Sequence, residues 1–119
     1  MLVNIGRFCC LFLLCTVFFS PPTSAPTLKR AYSEHYQGSL LYAEGQIKRA
    51  NTKFKQAYQI LPDNFHFTLA YGLSEGRLGH ASSAIQLIDK AKNQLNRNEP
   101  DFAYKNAISH FLKGMVYTY

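Results

Sequence analysis

The side chains of this sequence that could carry chemistry are four histidines, three cysteines, a serine set between glycines and a pair of acids. His35, His66, His80 and His110 are scattered along the chain, and none has a carboxylate or cysteine at the spacing that holds a metal ion. Cys9, Cys10 and Cys15 all fall in one N-terminal apolar run, so the rest of the chain can build neither a disulfide nor a thiolate metal site. Gly72-Leu73-Ser74-Glu75-Gly76 places a serine among glycines. It lies in a helical pattern, not on the strand-to-helix turn that exposes a nucleophilic serine. Glu99 and Asp101 flank Pro100 at a helix start, where carboxylates meet the positive end of the helix dipole, and that placement needs no acid–base role. Neither H-E-x-x-H nor a phosphate-binding glycine loop occurs. The sequence therefore points away from an enzyme and implies no cofactor and no metal. What remains is binding.

The 119 residues fit one domain. Net charge is +6, but no basic run is longer than Lys29–Arg30 or Lys48–Arg49. Charge spread in this way is a solvated surface and not a nucleic-acid face. Phe8 to Phe19 is apolar apart from one threonine, too short for the roughly 18–20 residues of a spanning helix and suited to the core of a secretory signal. Ser20 to Ala25 supplies small residues and helix breakers near a cleavage site, although Pro26 directly after Ala25 disfavours cleavage there. Residues 1–25 thus read as a signal peptide or an N-terminal membrane anchor attached through 8–19. A lipoprotein is a further alternative, opposed by bulky Leu14 before Cys15. Each reading places the rest of the chain in an exported location: periplasmic, secreted or at the outer face of a membrane.

The elements that must position any binding residue are helices. Leu28, Tyr32, Tyr36, Leu40 and Ala43 are spaced by three or four and predict one apolar stripe, ended at Gly45. Ile47, Ala50, Phe54, Ala57 and Leu61 predict a second, stopped by Pro62, with Asp63 or Asn64 as the next N-cap. Leu69, Gly72, Leu73 and Gly76 line a third helix from Phe65 to Leu78, and Ala81, Ala84, Ile88, Ala91 and Leu95 a fourth. Gly72 and Gly76 each cost about 1 kcal/mol of helix propensity, which implies close approach of a neighbouring backbone. From about Pro100 to the end, Tyr104, Ile108, Phe111, Leu112, Met115 and Tyr119 predict one long final helix. Some of its apolar surface wraps too far round to be covered, which predicts exposure and either self-association or the need for a partner or a missing continuation.

These helices recur. Gly38, Gly45, Ala50 and Ala57 return 34 residues later as Gly72, Gly79, Ala84 and Ala91, the period of a helix–turn–helix unit. Gly114 restores the register after a gap of 42 residues. The order Gln37-Gly38-x-x-Leu41, Ala50, Phe54, Pro62 resembles the tetratricopeptide repeat family. Glu34, Thr68 and His110 stand where that family has tryptophan, and Glu75 where it has tyrosine. The resemblance implies an all-α, antiparallel helix-hairpin solenoid over residues 26–119. Its units would span about 31–64 and 65–98, with a partial third at 107–119, making about two and a half repeats. A different helical hairpin array of similar period is the alternative.

In that family the first helix of each unit lines a groove for extended or helical peptides. Carried over, this implicates Tyr32, His35, Ser39 and Tyr42 in the first unit, and His66, Leu69, Leu73 and Arg77 in the second. The third unit adds Ile108, Phe111 and Met115. His35, Ser39, Ala70 and Leu112 occupy the places of the family's carboxylate clamp, so the resemblance implies an apolar peptide or partner helix as the ligand. Two other readings stand beside it: the N-terminal part of a longer protein that carries the catalytic or assembly region, and a structural subunit that self-associates through its C-terminal helix.

Overall fold

A computed structural model describes residues 24–118. The apolar run 8–19, with nearly all of the segment read as signal or anchor, lies outside the described residues, as does Tyr119. The described residues form five helices and no strand: α1 (Ala25–Ala43), α2 (Ile47–Ile60), α3 (Phe65–Arg77), α4 (Ala81–Asn93) and α5 (Phe102–Val116). The described residues are all-α, as the periodicity predicts. No helix among the described residues is long and apolar enough to cross a membrane.

Two turns of the same design reverse the chain. Gly45 and Gly79 adopt φ of +78° and +86°, the left-handed backbone that a residue without a Cβ enters at no steric cost. After α1, Gln46 N–H donates to Leu41 C=O and Gly45 N–H to Tyr42 C=O; after α3, His80 N–H donates to Glu75 C=O and Gly79 N–H to Gly76 C=O. This paired closure satisfies the last carbonyls of both helices. Between α2 and α3 the Leu61–Asn64 link is closed differently, with Asn64 Oδ1 accepting from Phe67 N–H at 3.1 Å as the N-cap.

Each helix packs on the next, and α3 also touches α5. Antiparallel α1 and α2 meet where Gly38 leaves room for a side chain: a Cβ there would lie 2.7 Å from the Phe54 ring. α3 and α4 meet at Gly72, whose Cβ would come within 3.3 Å of the Ala84 carbonyl and of Ile88. Gly76 is held open for Val116 of α5, 2.8 Å from where its Cβ would stand. The small residues are therefore contact points between helices. Phe65, Leu69, Ala84, Ile88, Ala91 and Val116 form one core cluster, and Ala31, Ala57 and Phe67 a second at the joint between the first two helices and α3.

Two sequence expectations change. The stripe Leu28–Tyr32–Tyr36–Leu40 faces solvent: these residues are 38%, 56%, 65% and 49% exposed. The face of α1 that packs is instead the one carrying Ala31 and Gly38, both buried, because only that face admits Phe54. The final helix begins at Phe102, with Asp101 at its N-cap, so Pro100 stands in the preceding turn. Lys105 ties that turn down, with its Nζ at 3.0 Å from Glu99 and 3.1 Å from Asp101. Those two hydrogen bonds hold its ammonium above the usual lysine pKa.

Candidate interaction surface

The α1–α3 seam brings together four of the eight residues implicated in the first two units: Tyr32, His35, Tyr42 and Arg77. The Tyr32 ring stands edge-on to Phe67 with centroids 5.1 Å apart. His35 lies against both Phe54 and Phe67, at 5.5 and 4.9 Å. Further along, the Arg77 guanidinium sits 5.6 Å from the Tyr42 ring centroid, with Nη1 at 3.5 Å from the hydroxyl. His66 is exposed beside Phe65, and Ser39 is exposed with its hydroxyl donating to the His35 carbonyl at 3.0 Å. The third-unit residues are dispersed. Ile108 packs against the α3–α4 core, Met115 is half-buried, and Phe111 points to solvent at 67% exposure. Leu69 is 8% exposed and belongs to the core, while Leu73 is half-buried.

Sequence reasoning passes over two features of this surface. Tyr36 and Leu40 continue the exposed stripe of α1 beyond Tyr32 and make it apolar over three turns. The available signal is the glycine register: Ala31 and Gly38 occupy the places of Phe65 and Gly72, which fixes their side of α1 as the packed one and turns the tyrosines outward. The other feature is a part-buried polar cluster between α2 and the end of α3. Asn51 Nδ2 donates to Ser74 Oγ at 2.9 Å and to Glu75 Oε1 at 2.8 Å, and Glu75 Oε2 lies 2.9 Å from His80 Nδ1. Ser74 in turn donates to the Tyr71 carbonyl at 2.8 Å. His80 contacts the carboxylate rather than the serine, so the set links α2 to the α3–α4 turn and activates no nucleophile. Burial first, then the nearby Glu75 carboxylate and Tyr58, push the Tyr71 hydroxyl above its ordinary pKa.

Asn51→Leu would remove both amide bonds and leave the buried Glu75 oxygen without its donor. The expected cost is about 1–3 kcal/mol, or a fall of at least about 4 °C in melting temperature. Gln59→Leu on the exposed side of the same helix is the control and should leave melting nearly unchanged.

Burial between Phe54 and Phe67, and then repulsion from His66, hold His35 below the ordinary histidine pKa. Its Nδ1 is buried without a hydrogen-bond partner. The folded chain thus keeps His35 neutral at a pH where the unfolded chain already takes up its proton. Stability from this group is full above about pH 6.5 and declines as pH falls below it, towards the lowered folded pKa. His35→Leu, which copies Leu69 in the next unit, should melt increasingly above the unaltered chain as pH is lowered from about 7.5 to about 5. A constant difference across that range would contradict the neutral state.

Among the described residues no group of three or more histidines, cysteines and acids is placed to hold a metal ion. In comparison with known proteins, no family model, no curated protein and no solved structure matches this chain. Its class is therefore defined by its own geometry: among the described residues, five closely packed helices with an exposed apolar stripe on α1.

Proposed function

We propose that residues 26–119 form a tetratricopeptide-like solenoid that acts as a non-enzymatic interaction module, exported or held at the outer face of a membrane. It docks an apolar peptide or partner helix. The solenoid reading is supported by the identical closures at Gly45 and Gly79 and by the matched helix approaches at Gly38 and Gly72. The observation that carries the binding role is the exposed apolar stripe of α1. Three large residues, Tyr32, Tyr36 and Leu40, each about half exposed or more, lie in a row at four-residue spacing along one side of α1. Contiguous apolar surface of this kind marks interaction sites on folded proteins. Tyrosine adds contact area at low conformational cost and a hydroxyl for polar recognition.

The test uses cross-linked capture from the native envelope with the full chain as bait. Tyr32→Ser combined with Tyr36→Ser should lower recovery of the partner at least about tenfold, the loss expected when interface anchors are removed. Tyr36 is 65% exposed and Tyr32→Ser gives up one edge-on contact with Phe67, so the double variant should lose no more stability than that contact supplies, about 0.5–1.5 kcal/mol. Equal recovery by the two baits would remove α1 from the binding surface.

A further inference from the structure

A cleft of about 660 Å³ opens where the end of α4 meets the start of α5, lined by Lys92, Asn93, Leu95, Arg97, Phe102 and Asn106. We propose that it binds a small dianionic ester: a phosphomonoester whose organic part is apolar or aromatic. Charge carries the argument. From residue 81 to residue 118, five lysines and arginines stand against three acids, an excess of two positive charges. Each acid is already held by a cation outside the cleft. Asp89 pairs with Lys113 at 3.0 Å, and Glu99 and Asp101 pair with Lys105 at 3.0 and 3.1 Å. Lys90 is engaged with the Tyr58 hydroxyl at 2.8 Å. Among the described residues of this stretch, Lys92 and Arg97 are the cations left without a counter-charge. Both line the same cleft, and no acid stands among its walls.

The walls fit both halves of such an ester. The carbonyl end of α4 offers Lys92 about half a unit of negative charge. It offers little to Arg97, which stands beyond the last residue of that helix, Asn93. An arginine fork grips two oxygens of one phosphate, while a lysine acts on it as a point charge. The Asn93 and Asn106 amides add neutral N–H donors for the remaining oxygens. A phosphomonoester carries about −1.5 to −2 near neutral pH, which matches the local excess. A carboxylate or a sulfate ester carries a single charge and would leave one cation unmatched. Leu95 and Phe102, both half-buried, give the cleft an apolar side, and the Phe102 ring can meet an aryl group edge-on or offset. The volume is in the range of small-molecule sites, about 300–1,000 Å³, and leaves room for an organic group beside the phosphate.

The probe is phenyl phosphate, titrated into the full chain and followed by backbone NMR shifts. Saturable shifts over residues 92–106 are expected. Phenyl sulfate has the same shape with one charge fewer, and inorganic phosphate has the charge without the ring. Each should bind at least about fivefold more weakly. Arg97→Gln and Lys92→Gln should each weaken phenyl phosphate at least about tenfold, the loss of one charge-assisted contact. Arg97 is exposed in a turn, so its variant should melt with the unaltered chain. Lys55→Gln removes the same unit of charge from an exposed site on α2 and should leave binding within about twofold. Absence of saturable shifts at 92–106 would overturn the proposal, as would equal weakening by Lys55→Gln and Arg97→Gln. Phenyl sulfate or inorganic phosphate binding as tightly as phenyl phosphate would also overturn it, the first against the dianion and the second against the apolar half.

Discussion

Phe67→Ala is expected to destabilise the fold by about 3–5 kcal/mol, the cost of emptying a buried aromatic site. Phe67 is 1% exposed and is the largest of the fully buried side chains. It projects from α3 into the joint between the first helix pair and the second, among Ala31, Ala57, Tyr32 and His35. The alanines on either side cannot move in to fill the space, since each is already at a helix contact. A fall of at least about 12 °C in melting temperature follows for a domain of this size. Phe111→Ala removes the same side chain from a site 67% exposed and should change stability by less than about 0.5 kcal/mol. Urea and thermal denaturation of the two variants provide the comparison. Similar losses for both would mean that Phe67 is not the joint between the pairs.

Ala84→Leu is the second large effect, acting through excess volume in place of a cavity. Ala84 is fully buried, its carbonyl 3.3 Å from the position of a Gly72 Cβ and its own Cβ 3.6 Å from that of Gly76. Two glycines therefore face this alanine, and a leucine would drive α4 away from α3. Overpacking of a closed site costs about 1–3 kcal/mol. The proper control is exposed Gln86→Leu. Lys90 is unsuitable because its ammonium donates to the Tyr58 hydroxyl at 2.8 Å and lies 4.8 Å from that ring centroid. Thermal melts of Ala84→Leu and Gln86→Leu at matched concentration decide the matter, with equal melting temperatures contradicting the α3–α4 packing.

Much of the scaffold was legible because small residues have few alternative uses inside helices. Gly38 and Gly72 announced close approach, Gly45 and Gly79 announced turns, and Ala50, Ala57, Ala84 and Ala91 announced the covering faces; all of these are where the structure has them. Gly114 has the same register without the same contact, because no described helix reaches it. The failure on α1 has a physical cause. Hydrophobic periodicity assigns the stripe of large apolar residues to the core. A helix whose partner approaches over alanine and glycine instead buries its small side and leaves the large one outside. Two stripes lie on α1, and the period alone cannot rank them.

The candidate site was less legible for a related reason. Placing residues on the first helix of each unit groups Tyr32, His35, Tyr42 and Arg77, which the α1–α3 seam does bring together. It also includes Leu69 and Ile108, which the helix packing draws into or against the core. The Asn51–Ser74–Glu75–His80 cluster joins two helices and a turn at separations of 23 and 24 residues from Asn51, and no local pattern announces such a set. Glu75 stands where the resembled family has an aromatic residue. There the chain satisfies a buried carboxylate with hydrogen bonds where apolar packing would otherwise stand.

The central claim is that the solvent-facing stripe of α1 is a binding surface. Its most direct measurement is photo-cross-linking in the native host, with a benzophenone amino acid placed singly at Leu28, Tyr32, Tyr36, Leu40, Arg30 and Gln37 of the full chain. All six positions are exposed, but the last two lie off the stripe. The account predicts one adduct of the same mass from the four stripe positions and none from Arg30 or Gln37. Adducts of equal yield at all six positions, or none at any of them, would contradict it.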